Sequence, residues 1–130
     1  MTRLRTPGAS GKTLSVLIVE DDPALSENLS EILRGFGFQV SAVSSADRAL
    51  EFLEQEHADC LLTDVKLPGQ GGIAMLEELR RRHVTVPAIV MSGFLEPDHL
   101  RRATELGVID VQSKPVNLER LHDVLDRLTS

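Results

Sequence analysis

The sequence predicts an α/β domain in which a strand–helix unit is repeated five times, giving a parallel sheet with helices on both faces. Three observations predict it. Short apolar, β-branched runs alternate with segments whose apolar residues recur every three or four positions, the pattern of strand–helix–strand units. The runs VLIV (16–19), CLLT (60–63) and AIVM (88–91) are apolar almost throughout, as strands covered on both faces must be. A chain of 130 residues suits one domain and buries a core without disulfides or structural metal.

The elements follow in order. The first strand is Val16–Val19. The first helix starts at Asp22-Pro23, a capping acid followed by proline at the first helical position. Its apolar stripe is Leu25, Leu29, Ile32, Leu33 and Phe36, and Gly35 and Gly37 stop it. The second strand is Phe38–Val43. The second helix follows the cap Ser45 and carries Ala49, Leu50 and Leu53. The third strand is Asp59–Thr63, and the glycine-rich turn LPGQGG leads into a third helix with Met75, Leu76 and Leu79. Val86-Pro87 opens the fourth strand, the fourth helix runs from Pro97 to Leu106 and stops at Gly107, the fifth strand is Ile109–Gln112, and the last helix follows Asn117. Residues 1–13, rich in Thr, Gly, Ser and basic side chains, read as a flexible tail, leaving 14–130 as the domain.

Composition excludes several functions. A net charge of −6 argues against a nucleic-acid backbone as direct partner, because such binding rests on Lys and Arg. Tyr and Trp are absent, so no base-stacking platform is expected. The single cysteine, Cys60, forbids an internal disulfide and reads as a small core residue, which points to a reducing, cytoplasmic setting. No apolar stretch reaches the length of a membrane span, and the N-terminus lacks the apolar core of a signal peptide.

In parallel sheets of this kind ligands sit beyond the carboxyl ends of the strands. Glu20, Asp21 and Asp22 follow the first strand, Asp64 the third, Ser92 and Gly93 the fourth, Lys114 and Pro115 the fifth. Like charges this dense repel unless something compensates. An all-oxygen site with room for water suits Mg²⁺, or Mn²⁺ in its place. Lys114 supplies a compact positive charge for a phosphate, Ser92 one hydrogen bond to an anion, and Gly93 space beside the backbone. The set reads as a place where a carboxylate takes a phosphoryl group while a metal and Lys114 neutralise charge.

These motifs, VLIVEDD (16–22), LLTDVKLPGQGG (61–72), IVMSG (89–93) and SKP (113–115), resemble those of the receiver domains of two-component response regulators. The resemblance covers residues 14–128. It implies a flavodoxin-like sheet of order 2-1-3-4-5. It implies that Asp64 is the phosphoacceptor, charged by a histidine kinase or phosphotransfer protein. It implies that Asp21, Asp64 and the Lys66 backbone carbonyl hold Mg²⁺, with Glu20 acting through water. Ser92 takes the place of the switch hydroxyl and Lys114 that of the phosphate-contacting lysine, with a cis peptide before Pro115. The same resemblance places output on the face of the fourth helix, fifth strand and fifth helix, through a downstream protein or a phosphorylation-dependent dimer.

The sequence departs from the family in three places. Val111 stands where the family often has an aromatic switch, so the Ser92 loop, including Phe94, is expected to carry the signal. Val116 follows Pro115 where Phe is common. Lys66 is basic at a variable position and is expected to alter the phosphoryl lifetime. The chain ends at Ser130 directly after the last helix, which reads as a stand-alone receiver or a piece of a longer regulator or hybrid kinase.

Asp22 is a helix cap. The P-loop-like GASGKT (8–13) lacks the first glycine, has Thr6 in its place, and precedes the first strand. The four histidines show no metal-ligand spacing and read as solvated, as do Glu77-Glu78 and Arg80-Arg81-Arg82 on the third helix. Arg101-Arg102 fit either a solvated face or a partner surface. A small aspartyl-phosphate phosphohydrolase would need an acid two residues after Asp64, where Lys66 stands. A flavin carrier would need an aromatic stack that is missing. A degenerate receiver would act by docking alone.

Overall fold

The computed structural model describes residues 13–129. The predicted tail and the GASGKT stretch lie, apart from Thr13, outside them. The elements are β1 Ser15–Val19, α1 Pro23–Gly35, β2 Gln39–Val43, α2 Ala46–Gln55, β3 Cys60–Asp64, α3 Gly72–Arg81, β4 Ala88–Ser92, α4 Pro97–Glu105, β5 Asp110–Ser113 and α5 Leu118–Arg127. All five strands are parallel, in the order β2-β1-β3-β4-β5.

Alternation along the strands builds two cores. Leu17, Val19, Leu61 and Val90 face α2 and α3, packing on Ala49, Leu50, Met75, Leu76 and Leu79. Val16, Ile18, Leu62, Ile89 and Met91 face α1 and α5, packing on Leu29, Leu33, Leu121 and Leu125. Cys60 is buried in the second core, and burial pushes its thiol up to about 12, which keeps it protonated and inert.

The predicted caps Asp22 and Ser45 accept backbone N–H bonds, and Asn117, just before α5, does the same. Strand ends shift by a residue. β3 and β4 extend through Asp64 and Ser92, because backbone pairing (Asp64 with Met91, Ser92 with Ser113) continues past the apolar run. Helix α3 has no stop glycine. His83 takes the left-handed conformation there (φ 63°), the position Gly37 and Gly107 hold after α1 and α4.

Three surface readings need correction. Phe36 is not part of the α1 stripe. It caps the helix C-terminus, is 37% exposed, and meets the His122 ring edge-on at 4.7 Å, so His122 is not simply solvated. Arg80 is half-buried, not on a free face. It donates to the Leu106 carbonyl (3.1 Å) and the Val84 carbonyl (2.9 Å), tying α3 to the end of α4. Glu77 pairs with Arg102 across the same gap (2.6 Å), while Arg101 pairs with Asp98 within α4 (2.9 Å).

The amino ends of β1 and β3 are tied by Asp59. Its carboxylate accepts from the Ser15 N–H (2.8 Å) and hydroxyl (3.2 Å) and lies 2.8 Å from His57 Nε2. Burial alone would raise the Asp59 pKa, but the Ser15 N–H and His57 outweigh it and hold the carboxyl below the usual range. A depressed folded pKa means stability present above the unfolded value and lost as pH falls through the folded one. Asp59→Ala should therefore cost about 1 kcal/mol at pH 7. Urea titrations should show the gap to wild type closing as the pH drops below the ordinary Asp range. A gap independent of pH would contradict an ionic contribution.

Candidate functional site

The acids reach one point because strand ends carry them there. β1 ends at Val19 and α1 begins at Pro23, so Glu20, Asp21 and Asp22 form the turn between them. Asp22 faces its helix, accepting from the Ala24 N–H (3.0 Å) and the Leu25 N–H (3.3 Å). Glu20 is 2% exposed, and its Oε2 accepts from the Asp22 N–H at 3.0 Å. Asp64 closes β3, the neighbour of β1, and is also buried. Its Oδ1 accepts from the Lys66 N–H at 3.1 Å. Carboxylate oxygens of Glu20, Asp21 and Asp64 all lie within 4.8 Å of one another.

Lys114 enters from the far end of β5. Its Nζ donates to Asp64 Oδ2 at 2.7 Å and to Glu20 Oε1 at 2.9 Å. The peptide between Lys114 and Pro115 is cis. The backbone N–H of Lys114 donates to the Ser92 carbonyl at 2.8 Å, keeping this loop on β4.

One ammonium faces three carboxylates. Burial weakens Glu20 as an acid and raises its pKa, more than its bonds to Lys114 and Asp22 lower it. Burial works against the Lys114 charge too, but the hydrogen bonds to Asp64 and Glu20 outweigh it and raise its pKa. The anions are thus the under-compensated partners. The donors are all oxygen, and Asp21 is exposed at the mouth, so the cluster has the chemistry a hard divalent cation requires.

The remaining predicted residues lie along the same edge of the sheet, at or just after the ends of β3 and β4. Ser92 is buried, and its hydroxyl is closed on its own loop. It donates to the Phe94 carbonyl (2.8 Å) and accepts from the Phe94 N–H (3.1 Å). Phe94 is 68% exposed, whereas Val111 packs against the α2–α3 core. A Cβ on Gly93 would meet nothing within 4 Å, so there is open room beside that backbone. The Lys66 side chain is exposed, and its backbone N–H is what touches Asp64.

Two supports escaped the sequence reading. Gly72 opens α3 where a Cβ would stand 2.1 Å from the Asp64 carbonyl oxygen. The Gly71-Gly72 doublet signalled a turn but not this close approach. Gln112, buried on β5, donates to Asp110 (3.1 Å) and accepts from the Asn117 N–H (2.9 Å). Arg120 also bonds Asp110, so the loop carrying Lys114 is tied down on both sides. Polar residues in so short a strand gave no sign of this.

Residues 16–126 match the response regulator receiver domain family, and the chain belongs to it. It is 36% identical over 114 residues to the transcriptional regulatory protein MalR of Bacillus subtilis (strain 168), covering 86% of this chain and 48% of that protein. It is 37% identical over 108 residues to a response regulator receiver protein of Anaeromyxobacter sp. (strain Fw109-5), covering 83% and 45%. The chain thus spans about half the length of these two relatives. Among solved structures, the signal receiver domain of a signal transduction histidine kinase from Syntrophus aciditrophicus is 30% identical with a TM-score of 0.80, and the match covers 90% of each chain. The fold is the flavodoxin-like fold of receiver domains, and the domain is a component of two-component signalling. No helix among the described residues is long and apolar enough to cross a membrane.

Proposed function

We propose that the protein is a phosphoacceptor switch in which Asp64 takes a phosphoryl group from the phosphohistidine of a histidine kinase or phosphotransfer protein. The observation that carries this reading is Lys114 Nζ held between the buried carboxylates of Asp64 and Glu20, at 2.7 and 2.9 Å. In the transfer, an Asp64 carboxylate oxygen forms the new P–O bond as the donor's P–N bond breaks and its imidazole leaves. Lys114 gives up part of its bond to Asp64 and follows the negative charge onto the phosphoryl oxygens. Mg²⁺ held by Asp21, Asp64 and the Lys66 carbonyl, with Glu20 through water, would supply the remaining counter-charge.

The same geometry supports the switch. A serine hydroxyl has one hydrogen to donate. If Ser92 turns it to a phosphoryl oxygen, the Phe94 carbonyl loses its donor and the loop before α4 is released. Output then passes to a protein partner, or to a second copy, across α4, β5 and α5. The exposed Lys66 ammonium, two residues after Asp64, sets how long the phosphoryl group survives. The protein works in the cytoplasm and is not a turnover enzyme: its chemistry is confined to its own phosphorylation and hydrolysis.

The test is intact mass spectrometry after incubation with acetyl phosphate, with and without Mg²⁺, on wild type and Asp64→Ala. The expected result is a gain of one phosphoryl group in wild type with Mg²⁺ only. No gain in wild type, or an equal gain in Asp64→Ala, would overturn the reading.

A further inference from the structure

Thr63 directly precedes the acceptor in β3 and is fully buried. Alternation sends its side chain to the sheet face opposite Asp64's. A buried hydroxyl needs a partner, and this one donates to the backbone carbonyl of Asp64 itself, at 3.0 Å. The same spot receives the start of α3. A Cβ on Gly72 would stand 2.1 Å from that carbonyl oxygen and 3.2 Å from Thr63 Oγ1. Hydroxyl, acceptor carbonyl and helix start therefore meet at one point.

We propose that Thr63 is a positioning residue for phosphoryl acceptance, its hydroxyl holding the Asp64 peptide plane and so the aim of the carboxylate. This rests on the phosphoacceptor reading above. The physical reason lies in which ties survive the reaction. The Asp64 carboxylate stands one carbon from its Cα, so any twist of the peptide reaches the reacting oxygens. Its two direct partners are the Lys114 ammonium and the Lys66 N–H. The first must loosen as charge moves to the phosphoryl group, and the second sits in the loop leading away from β3. The Thr63 hydroxyl touches no group that changes charge, and holds throughout.

The test compares Thr63→Val, which keeps the shape and removes the donor, with Thr63→Ser, which keeps the donor and removes a methyl. Phosphorylation by acetyl phosphate in Mg²⁺ is followed by intact mass, at a temperature where circular dichroism shows each protein folded. The expected result is a rate about tenfold lower in Thr63→Val, since small misplacements of a reacting group are costly, and within about twofold of wild type in Thr63→Ser. A structural role alone would spare the isosteric valine and penalise the serine, and that order would overturn the proposal, as would equal rates in all three. If Thr63→Val does not fold, Thr63→Cys, a weak donor of similar size, takes its place, with a wild-type rate again overturning the proposal. A wild type that gains no phosphoryl group refutes the phosphoacceptor reading, and the positioning role falls with it. A phosphorylated wild type with an unimpaired valine variant refutes the positioning role alone.

Discussion

Gly72→Ala is expected to lower the unfolding free energy by about 3 kcal/mol, the upper range for forcing an atom into a packed site. On helix propensity alone the change should stabilise by about 1 kcal/mol. The clash decides the sign. The new Cβ would stand 2.1 Å from the Asp64 carbonyl oxygen, a backbone atom that cannot rotate aside as a side-chain tip can. The Gly72 N–H also donates to the Val65 carbonyl at 2.8 Å, so moving the helix start breaks a bond as well. Helix α3 brings Met75, Leu76 and Leu79 to the core, and a shift at its start disturbs all three. Urea denaturation should show a lower midpoint with an unchanged slope. Gly93→Ala, in open space, should stay within about 0.5 kcal/mol of wild type. Equal stabilities for Gly72→Ala and wild type would show that β3 and α3 part more easily than their geometry implies.

Lys114→Met is expected to act on chemistry and stability together. Removing one partner of a buried ion pair costs about 3–5 kcal/mol, because the other charge is left unpaired. Here two buried carboxylates lose their shared cation, and Lys114, with 23% of its side chain exposed, places the cost at the lower end, about 3 kcal/mol. The loss should be largest in EDTA and shrink on titration with Mg²⁺, since a ligand that binds only the folded state stabilises it. Asp64→Asn in the same chain should reduce the cost, because one of the repelling charges is gone; a double-mutant cycle reads that coupling. Burial already raises the Glu20 pKa, and the variant loses the ammonium that opposed the rise. With a raised folded pKa the folded state holds its proton longer, so the variant's stability should fall as pH rises through that range. Phosphoryl gain from acetyl phosphate should drop by at least about a hundredfold, the scale of losing one charge-stabilising donor. Wild-type phosphorylation in the variant would remove Lys114 from the mechanism.

Much of this was readable from residues alone, and the reasons are local. Val16 to Val19 and Cys60 to Thr63 are buried on both faces, so they show as unbroken apolar runs. Asp22, Ser45 and Asn117 cap helices through bonds to residues two or three positions on, and short-range bonds leave short-range signatures. The acids and Lys114 were legible as a group because a parallel sheet collects strand ends on one edge. What escaped depends on neighbours distant in sequence. Arg80 looked solvated because its acceptor, the Leu106 carbonyl, is 26 residues away. Phe36 fitted the helical period, but α1 ends there and the ring turns to His122. Asp59 read only as the start of a strand, because its partner Ser15 lies 44 residues earlier.

The sequence by itself determined the class of fold, the side of the sheet that carries the site, and the kinds of group assembled there, since hydrophobic period, caps and turn residues are properties of neighbouring residues. Only the tertiary structure decided how those groups are held. It set the Lys114 ammonium between two particular carboxylates, closed the Ser92 hydroxyl on Phe94, and pressed the start of α3 against the Asp64 carbonyl beside Thr63. Those are distances between segments far apart along the chain, and they are fixed by how sheet and helices pack.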